Sequence, residues 1–228
     1  MALEQWHLLD SGSGHYAFNM AADEALLEAM PRLAIPVLRF YGWEQPAVSF
    51  GYFQKYADIQ KATLLRPLVR RPTGGGLVPH DADWTYSLVI PTLHEWYSVS
   101  AVESYRRAHE WIQAAFAKLR VDTFLAPDTR RARPGECFAG HERFDLLWAG
   151  RKIAGAAQRR ARCGLLIQGS VQPVAPAFQR TAWQQAMLEV GSERGFLWTD
   201  FLPDLALQRR IQQLQQTKYS SPAHNQKR

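Results

Sequence analysis

Cysteine is scarce in this chain of 228 residues, which holds two thiols, Cys137 and Cys163. That excludes a disulfide framework, and neither their spacing nor the nearby histidines match a metal-ligand pattern, so no metal site is expected. No run of about 18 apolar residues occurs, which argues against a membrane-spanning helix. The first residues, MALEQWHLLDSGSGHY, lack a charged segment leading into an apolar one; no secretory signal is read there, and the cytoplasm is the expected compartment. Internal repeats and linker-like stretches are missing too. Residues 1–215 are therefore expected to form one domain, with 216–228 a frayed polar tail. Acidic side chains are outnumbered, 21 against 27 basic ones, for a formal charge of +6. Such a balance favours acidic partners. Aromatics interleaved with the basic residues at stacking spacing are missing, which argues against nucleic acid.

What is present is ample core material, with 46% hydrophobic and 12% aromatic residues. Leu8 to Asp10 reads as a short strand before a Ser-Gly loop. Asn19 stands at an N-cap position for a helix that Pro31 should stop, with Asp23 and Glu24 placed early to suit the helix dipole. Strands are expected at 36–41, 47–52, 68–71, 84–90, 144–148, 151–154 and 165–171, and helices at 58–65, 101–119, 178–190 and 205–214. Ala149-Gly150 makes a tight turn between two of the strands. Strands and helices mix without strict alternation, which points to an α+β fold with a mixed β-sheet and flanking helices.

Two stretches carry chemistry. The first runs from Cys137 to Val171. Its thiol lies in a Gly-flanked loop closely preceded by arginines, where positive potential favours the nucleophilic thiolate; the bland alternative is a small buried hydrophobe. Lys152 follows on a strand next to Gly155-Ala156-Ala157-Gln158, where it can point into a pocket and hydrogen-bond a carbonyl, or simply face solvent. The second stretch is Arg70-Arg71-Pro72-Thr73-Gly74-Gly75-Gly76. Its glycines let backbone N–H groups approach an anion or carbonyl, but no Gly-Lys-Ser/Thr follows, so it is not a Walker loop. Arg71, Thr73, His80 and Asp81 beside the glycines favour a site over an empty turn. The clusters Arg130-Arg131-Ala132-Arg133 and Arg159-Arg160-Ala161-Arg162 form either a basic rim or two solvated loops.

Four ordered pieces then add up. They are Asn19-Met20-Ala21-Ala22-Asp23-Glu24-Ala25-Leu26, Gly51-Tyr52-Phe53-Gln54, the Arg70–Gly76 run with His80-Asp81, and Gly150-Arg151-Lys152-Ile153-Ala154-Gly155-Ala156-Ala157-Gln158 followed by Gln168-Gly169-Ser170. Together they resemble the lipoate–protein ligase and octanoyltransferase family, whose catalytic domain is similar to that of biotin–protein ligases. The resemblance implies a biotin/lipoate protein ligase-like, class II synthetase-like catalytic domain. Within the family, Cys137-Phe138 and Asp83-Trp84-Thr85-Tyr86-Ser87 resemble the branch of octanoyltransferases that forms an acyl-thioester.

This resemblance implies Cys137 and Lys152 as catalytic residues. Arg71, Thr73, Gly74, Gly75, Gly76, His80, Asp81, Gly155, Ala156, Ala157 and Gln158 would bind substrate. Acyl carrier protein would be the octanoyl donor, and a lipoyl-type domain (glycine cleavage H protein or an E2 subunit) the acceptor, with no cofactor. ATP and Mg enter only under the alternative of a lipoate–protein ligase working through an acyl-adenylate. A third alternative is an inactive acyl- or protein-binding homologue, motivated by Pro79 and Ile167, which replace commoner residues of the family.

Overall fold

A computed structural model of the chain describes residues 3–130, 140–173 and 179–227. In chain order the elements are β1 Glu4–Gly14, α1 Tyr16–Leu33, β2 Val37–Trp43, β3 Ala47–Phe50, α2 Tyr56–Ala62, β4 Leu68–Arg70, β5 Val78–His80, β6 Trp84–Ile90, α3 Glu95–Ser98 and α4 Ala101–Lys118. They continue with β7 Phe124–Leu125, β8 Leu146–Trp148, β9 Arg151–Ala161, β10 Gly164–Val171, α5 Arg180–Glu193, β11 Phe196–Asp200 and α6 Leu205–Leu214. A π-helical turn at Gln215–Tyr219 and α7, Pro222–Asn225, complete the described chain.

Eight strands form a mixed sheet in the order β11-β1-β2-β6-β10-β9-β8-β7, and β4-β3-β5 form a smaller one. β1 lies parallel to β11 and β2, while β6, β10, β9, β8 and β7 pair antiparallel in turn. The α+β reading with a mixed sheet and flanking helices holds. Each face of the large sheet has its own core. One gathers Trp6, Trp111, Phe116 and Trp183 with α4 and α5, the other Met20, Leu26, Leu27 and Met30 of α1 with Leu207 and Ile211 of α6. Cover on both faces explains why every residue of β6 is buried.

Four expectations change. α1 starts at Tyr16, capped by His15, whose Nδ1 accepts from the Ala17 N–H at 3.3 Å, so Asn19 is not the cap. Asn19 instead sits fully buried and donates to the carbonyls of Gly14 (3.2 Å) and Gly42 (2.8 Å). Pro31 does not stop the helix either, which runs to Leu33 and ends at Ala34 in the left-handed region, φ 58°. Arg159 and Arg160 lie on β9, not in a basic loop. Arg159 pairs with Glu24 at 2.9 Å, and Arg160 donates to backbone oxygens of Trp96, Tyr97 and Ser100, so neither belongs to a free basic rim.

The expected frayed tail is the fourth. Tyr219 is fully buried, and its hydroxyl donates to Glu24 at 2.8 Å. The Arg70 guanidinium donates to the carbonyls of His224 (3.2 Å) and Asn225 (3.1 Å). Composition sees only a polar segment; an arginine 150-odd positions away supplies its anchoring.

Candidate active site

The two motif stretches meet across a cavity: β9 and β10 carry one of them into the middle of the large sheet, and β4 and β5 of the small sheet flank the other. The cavity has a volume of about 220 Å³. Its wall includes Arg71, Gly75, Gly76 and His80 from one stretch and Lys152, Gly155, Ala156 and Ala157 from the other. Met20, Ile153, Ala154 and Leu77 add apolar surface.

On the lysine side, the Ala149-Gly150 turn, both residues at positive φ (47° and 75°), starts β9 so that Lys152 faces the cavity. Its ammonium lies 2.7 Å from Asp145 Oδ2, a fully buried carboxylate. Asp145 also accepts from the Tyr105 hydroxyl and, at 2.7 Å, from the Glu142 N–H. Burial first, then the Asp145 charge, pushes the Tyr105 phenol well above its ordinary range, so it stays a donor. Gly155 is required here: a Cβ would stand 2.6 Å from Lys152 Cε and 2.7 Å from Nζ. The lysine therefore lies flat across its own strand, and the glycine makes room for it.

On the opposite side, Arg71 lines the cavity and is anchored to the glycine loop. Its guanidinium donates to the carbonyls of Gly74 (3.0 and 2.5 Å) and Gly76 (2.7 Å), and to Ser49 Oγ at 3.3 Å. Burial lowers its pKa to about 10. The glycine loop is thus shaped from beneath by an arginine, with Gly75 in the left-handed region, φ 80°. It packs so closely on Gly51 that a Cβ there would meet the Gly75 carbonyl oxygen at 2.0 Å. His80 lies under the same loop between Ser49 (2.8 Å to Nε2) and Asp83 (2.9 Å from Nδ1 to Oδ2), with Trp43 stacked on it at 3.9 Å.

The expected site residues divide accordingly. Thr73 and Gly74 support the wall: Thr73 is buried and donates to Gln168 Oε1 at 2.7 Å, and Gln168 lines the cavity. Asp81 is exposed; the carboxylate that holds His80 is Asp83, two positions on. Gln158 is turned to α4, donating to the Ala101 carbonyl at 2.6 Å and accepting from Ser104 at 3.0 Å, outside the cavity wall. Cys137 lies outside the described residues; Gly140, three positions further along the chain, lines the cavity.

The sequence reading does not single out Ser49 or Asp145, and it names Asp83 and Gln168 only within motifs, without a site role. Asp83 follows His80 at three residues, a spacing that also points to it. A shared scaffold supports both sides. Asp23 and Arg39, both fully buried, pair at 2.7 Å, and Asp23 also accepts from Tyr41 (3.1 Å), Ser87 (2.7 Å) and Gln168 (2.7 Å). Asp23 is therefore a hub between α1 and the sheet rather than an aid to the helix dipole.

The architecture is the α+β catalytic fold of lipoate protein ligases. Lipoate-protein ligase A bound with ATP superposes with a TM-score of 0.77 at 20% identity over 99% of each chain. A bi-partite lipoate protein ligase of Thermoplasma acidophilum gives 0.72 at 20% identity, covering 99% of this chain and 97% of its own. Residues 15–172 match the family model described as the lipoyl protein ligase A/B catalytic domain, and the chain belongs to that family. Among curated relatives, octanoyltransferase LipM of Anoxybacillus flavithermus is 39% identical over 184 residues and that of Bacillus subtilis 38% over 186. In both cases the match covers 75% of this chain and 66% of the relative, just under two thirds of its length.

Proposed function

We propose that the protein is an octanoyltransferase of protein lipoylation that works through an acyl-cysteine. The observation that carries this is Lys152, an ammonium held by a buried carboxylate on the wall of an apolar-lined cavity that Gly140, three residues after Cys137, also lines. Three residues of extended chain reach about 11 Å at most. The likeness to enzymes named octanoyltransferase over most of the chain supports the same reading.

In the first step the Cys137 thiolate attacks the carbonyl carbon of an octanoyl thioester on acyl carrier protein. A new C–S bond forms, the old one breaks, and the carrier leaves as a thiolate that takes up a proton. In the second, a lysine amine of a lipoyl-type acceptor domain attacks acyl-Cys137. The C–N bond forms, one amine proton is lost, and the Cys137 thiolate is released. The Lys152 ammonium hydrogen-bonds the oxyanion that develops in each step. Each buried methylene contributes about 0.8 kcal/mol, so an octanoyl tail brings about 5 kcal/mol of binding. No nucleotide enters either step.

Intact mass after incubation with octanoyl-acyl carrier protein tests the proposal. A hydroxylamine-labile octanoyl adduct on the wild type, lost in Cys137→Ala, is expected. An adduct that survives the substitution would sink the acyl-cysteine. Transfer that demands ATP and free acid, and persists in Cys137→Ala, would select the ligase route instead. Absence of turnover by either route would leave a binding homologue.

A further inference from the structure

Aminolysis of an acyl-enzyme needs a base, because the attacking amine must shed an N–H proton as its nitrogen bonds to the carbonyl carbon. Among the described residues that line the cavity, four side chains titrate: Tyr41, Arg71, His80 and Lys152. Arg71 is a guanidinium tied to Gly74 and Gly76. The Tyr41 hydroxyl donates to Asp23, and burial drives it well above the ordinary phenol range. Lys152 donates to Asp145 at 2.7 Å. That leaves His80, and its surroundings define its tautomer.

Asp83 Oδ2 accepts from Ser170 Oγ (2.7 Å), Thr85 Oγ1 (3.1 Å) and His80 Nδ1 (2.9 Å). A carboxylate accepts and does not donate, so Nδ1 carries the proton and Nε2 presents its lone pair to Ser49 Oγ at 2.8 Å. Ser49 then donates its own proton to Nε2 while its oxygen receives Arg71 Nη1–H at 3.3 Å. One lone pair of that oxygen stays open, and Ser49, like His80, lines the cavity. Trp43 locks the imidazole in this plane, stacked at 3.9 Å and 16°, and is itself fixed by its Nε1–H bond to Thr85 at 2.8 Å.

We propose that Ser49, His80 and Asp83 form a proton relay that deprotonates the acceptor amine. The amine N–H proton passes to Ser49 Oγ as the serine proton passes to His80 Nε2. The nitrogen's lone pair forms the C–N bond, imidazolium forms against Asp83, and the C–S bond to Cys137 breaks. The proton then returns through Ser49 to the departing sulfur or to water, which regenerates neutral His80. Ser49 is the group that touches substrate, His80 acts through it, and Asp83 positions and balances His80. The charged and titratable groups around the ring are Asp83 on the approach to β6, Arg71 through Ser49, and Tyr41 on β2. The proposal rests on aminolysis at this cavity but not on which atom carries the acyl group.

The experiment measures kcat/KM for the acceptor domain from pH 5 to 9, which in a two-step exchange reports the aminolysis half alone. Wild type is expected to lose activity on the acid side with the slope of one proton. His80→Gln should fall about 100-fold at neutral pH and lose that acid limb, with an unchanged thermal midpoint. Ser49→Ala should fall about 10-fold or more while Nε2 keeps its limb. A His80→Gln enzyme within about threefold of wild type, or one that keeps the limb, overturns the relay; so does a wild-type rate in Ser49→Ala. The adduct on Cys137 is read separately by mass. Its absence would remove the acyl-cysteine yet leave the pH profiles to decide the relay, since an acyl-adenylate is aminolysed by the same amine.

Discussion

The two walls of the cavity solve opposite electrostatic problems. On the lysine wall a full positive charge is held in place by a full negative one, Lys152 against buried Asp145, with Tyr105 and the Glu142 N–H completing the carboxylate's shell. On the histidine wall a hydroxyl and an imidazole, Ser49 and His80, face the cavity beside an Arg71 guanidinium held by the glycine loop's carbonyls, with the carboxylate Asp83 set behind the ring. The first arrangement suits a group that must stay charged and still. The second suits one that must change its protonation during a reaction.

Breaking the lysine wall should therefore cost the most, and in two currencies. Lys152→Met is expected to lower transfer about 1,000-fold, the upper range for loss of one oxyanion donor. It should also destabilise the fold by roughly 3 kcal/mol, because Asp145 is left a buried charge without its cation. Adding Asp145→Asn should restore the denaturation midpoint but not the rate. Recovery of both would show that Lys152 matters only as the carboxylate's partner.

Two glycines sharpen the contrast between a flexible and a rigid neighbour. In Gly51→Ala the new methyl group meets a backbone oxygen, Gly75 O at 2.0 Å, so the loop must move; a loss of about 2 kcal/mol is expected together with weakened turnover. In Gly155→Ala it meets the end of a side chain, Lys152 Cε at 2.6 Å, which can swing aside. Turnover should fall about tenfold there, while the melting temperature moves by less than about 3 °C. Equal melting temperatures for the two variants would contradict this reading.

The effect that vanishes at neutral pH is one of acid stability. His109, fully buried behind the lysine wall, has its pKa lowered from 6.5 to about 4, first by burial. Between those values the unfolded chain takes up a proton that the folded one excludes, so stability declines as pH falls through that window. The full effect is on the order of 3 kcal/mol. His224, lowered to about 4 also chiefly by burial, adds in the same direction. His109→Gln should flatten the decline in denaturant midpoint between pH 6.5 and 4; an unchanged slope would remove His109 from the account.

How much was legible varies by residue. β6 and α6 match their expected bounds residue for residue, because uninterrupted alternation or helical spacing is a local property. β11 went unseen, since an edge strand with Leu197 and Thr199 outward shows little pattern of its own and exists by pairing with β1. Lys152, His80 and the glycines stood out through their motifs. Asp145 did not, because a carboxylate in a strand-rich run reads as surface until Tyr105, on a helix 40 positions away, is seen to reach it.

The order of residues alone determined the mixed α+β architecture, the glycine loop, the lysine hairpin and, through them, the family. Those features depend on short-range spacing, which survives in one dimension. Tertiary structure decided which charges are partners: Lys152 with Asp145, His80 with Asp83 rather than Asp81, Arg71 with the glycine loop's carbonyls, and the C-terminal turn with Arg70. Hydrogen bonds and ion pairs act over about 3 Å of space, whatever the separation along the chain, and only the folded sheet brings these atoms that close.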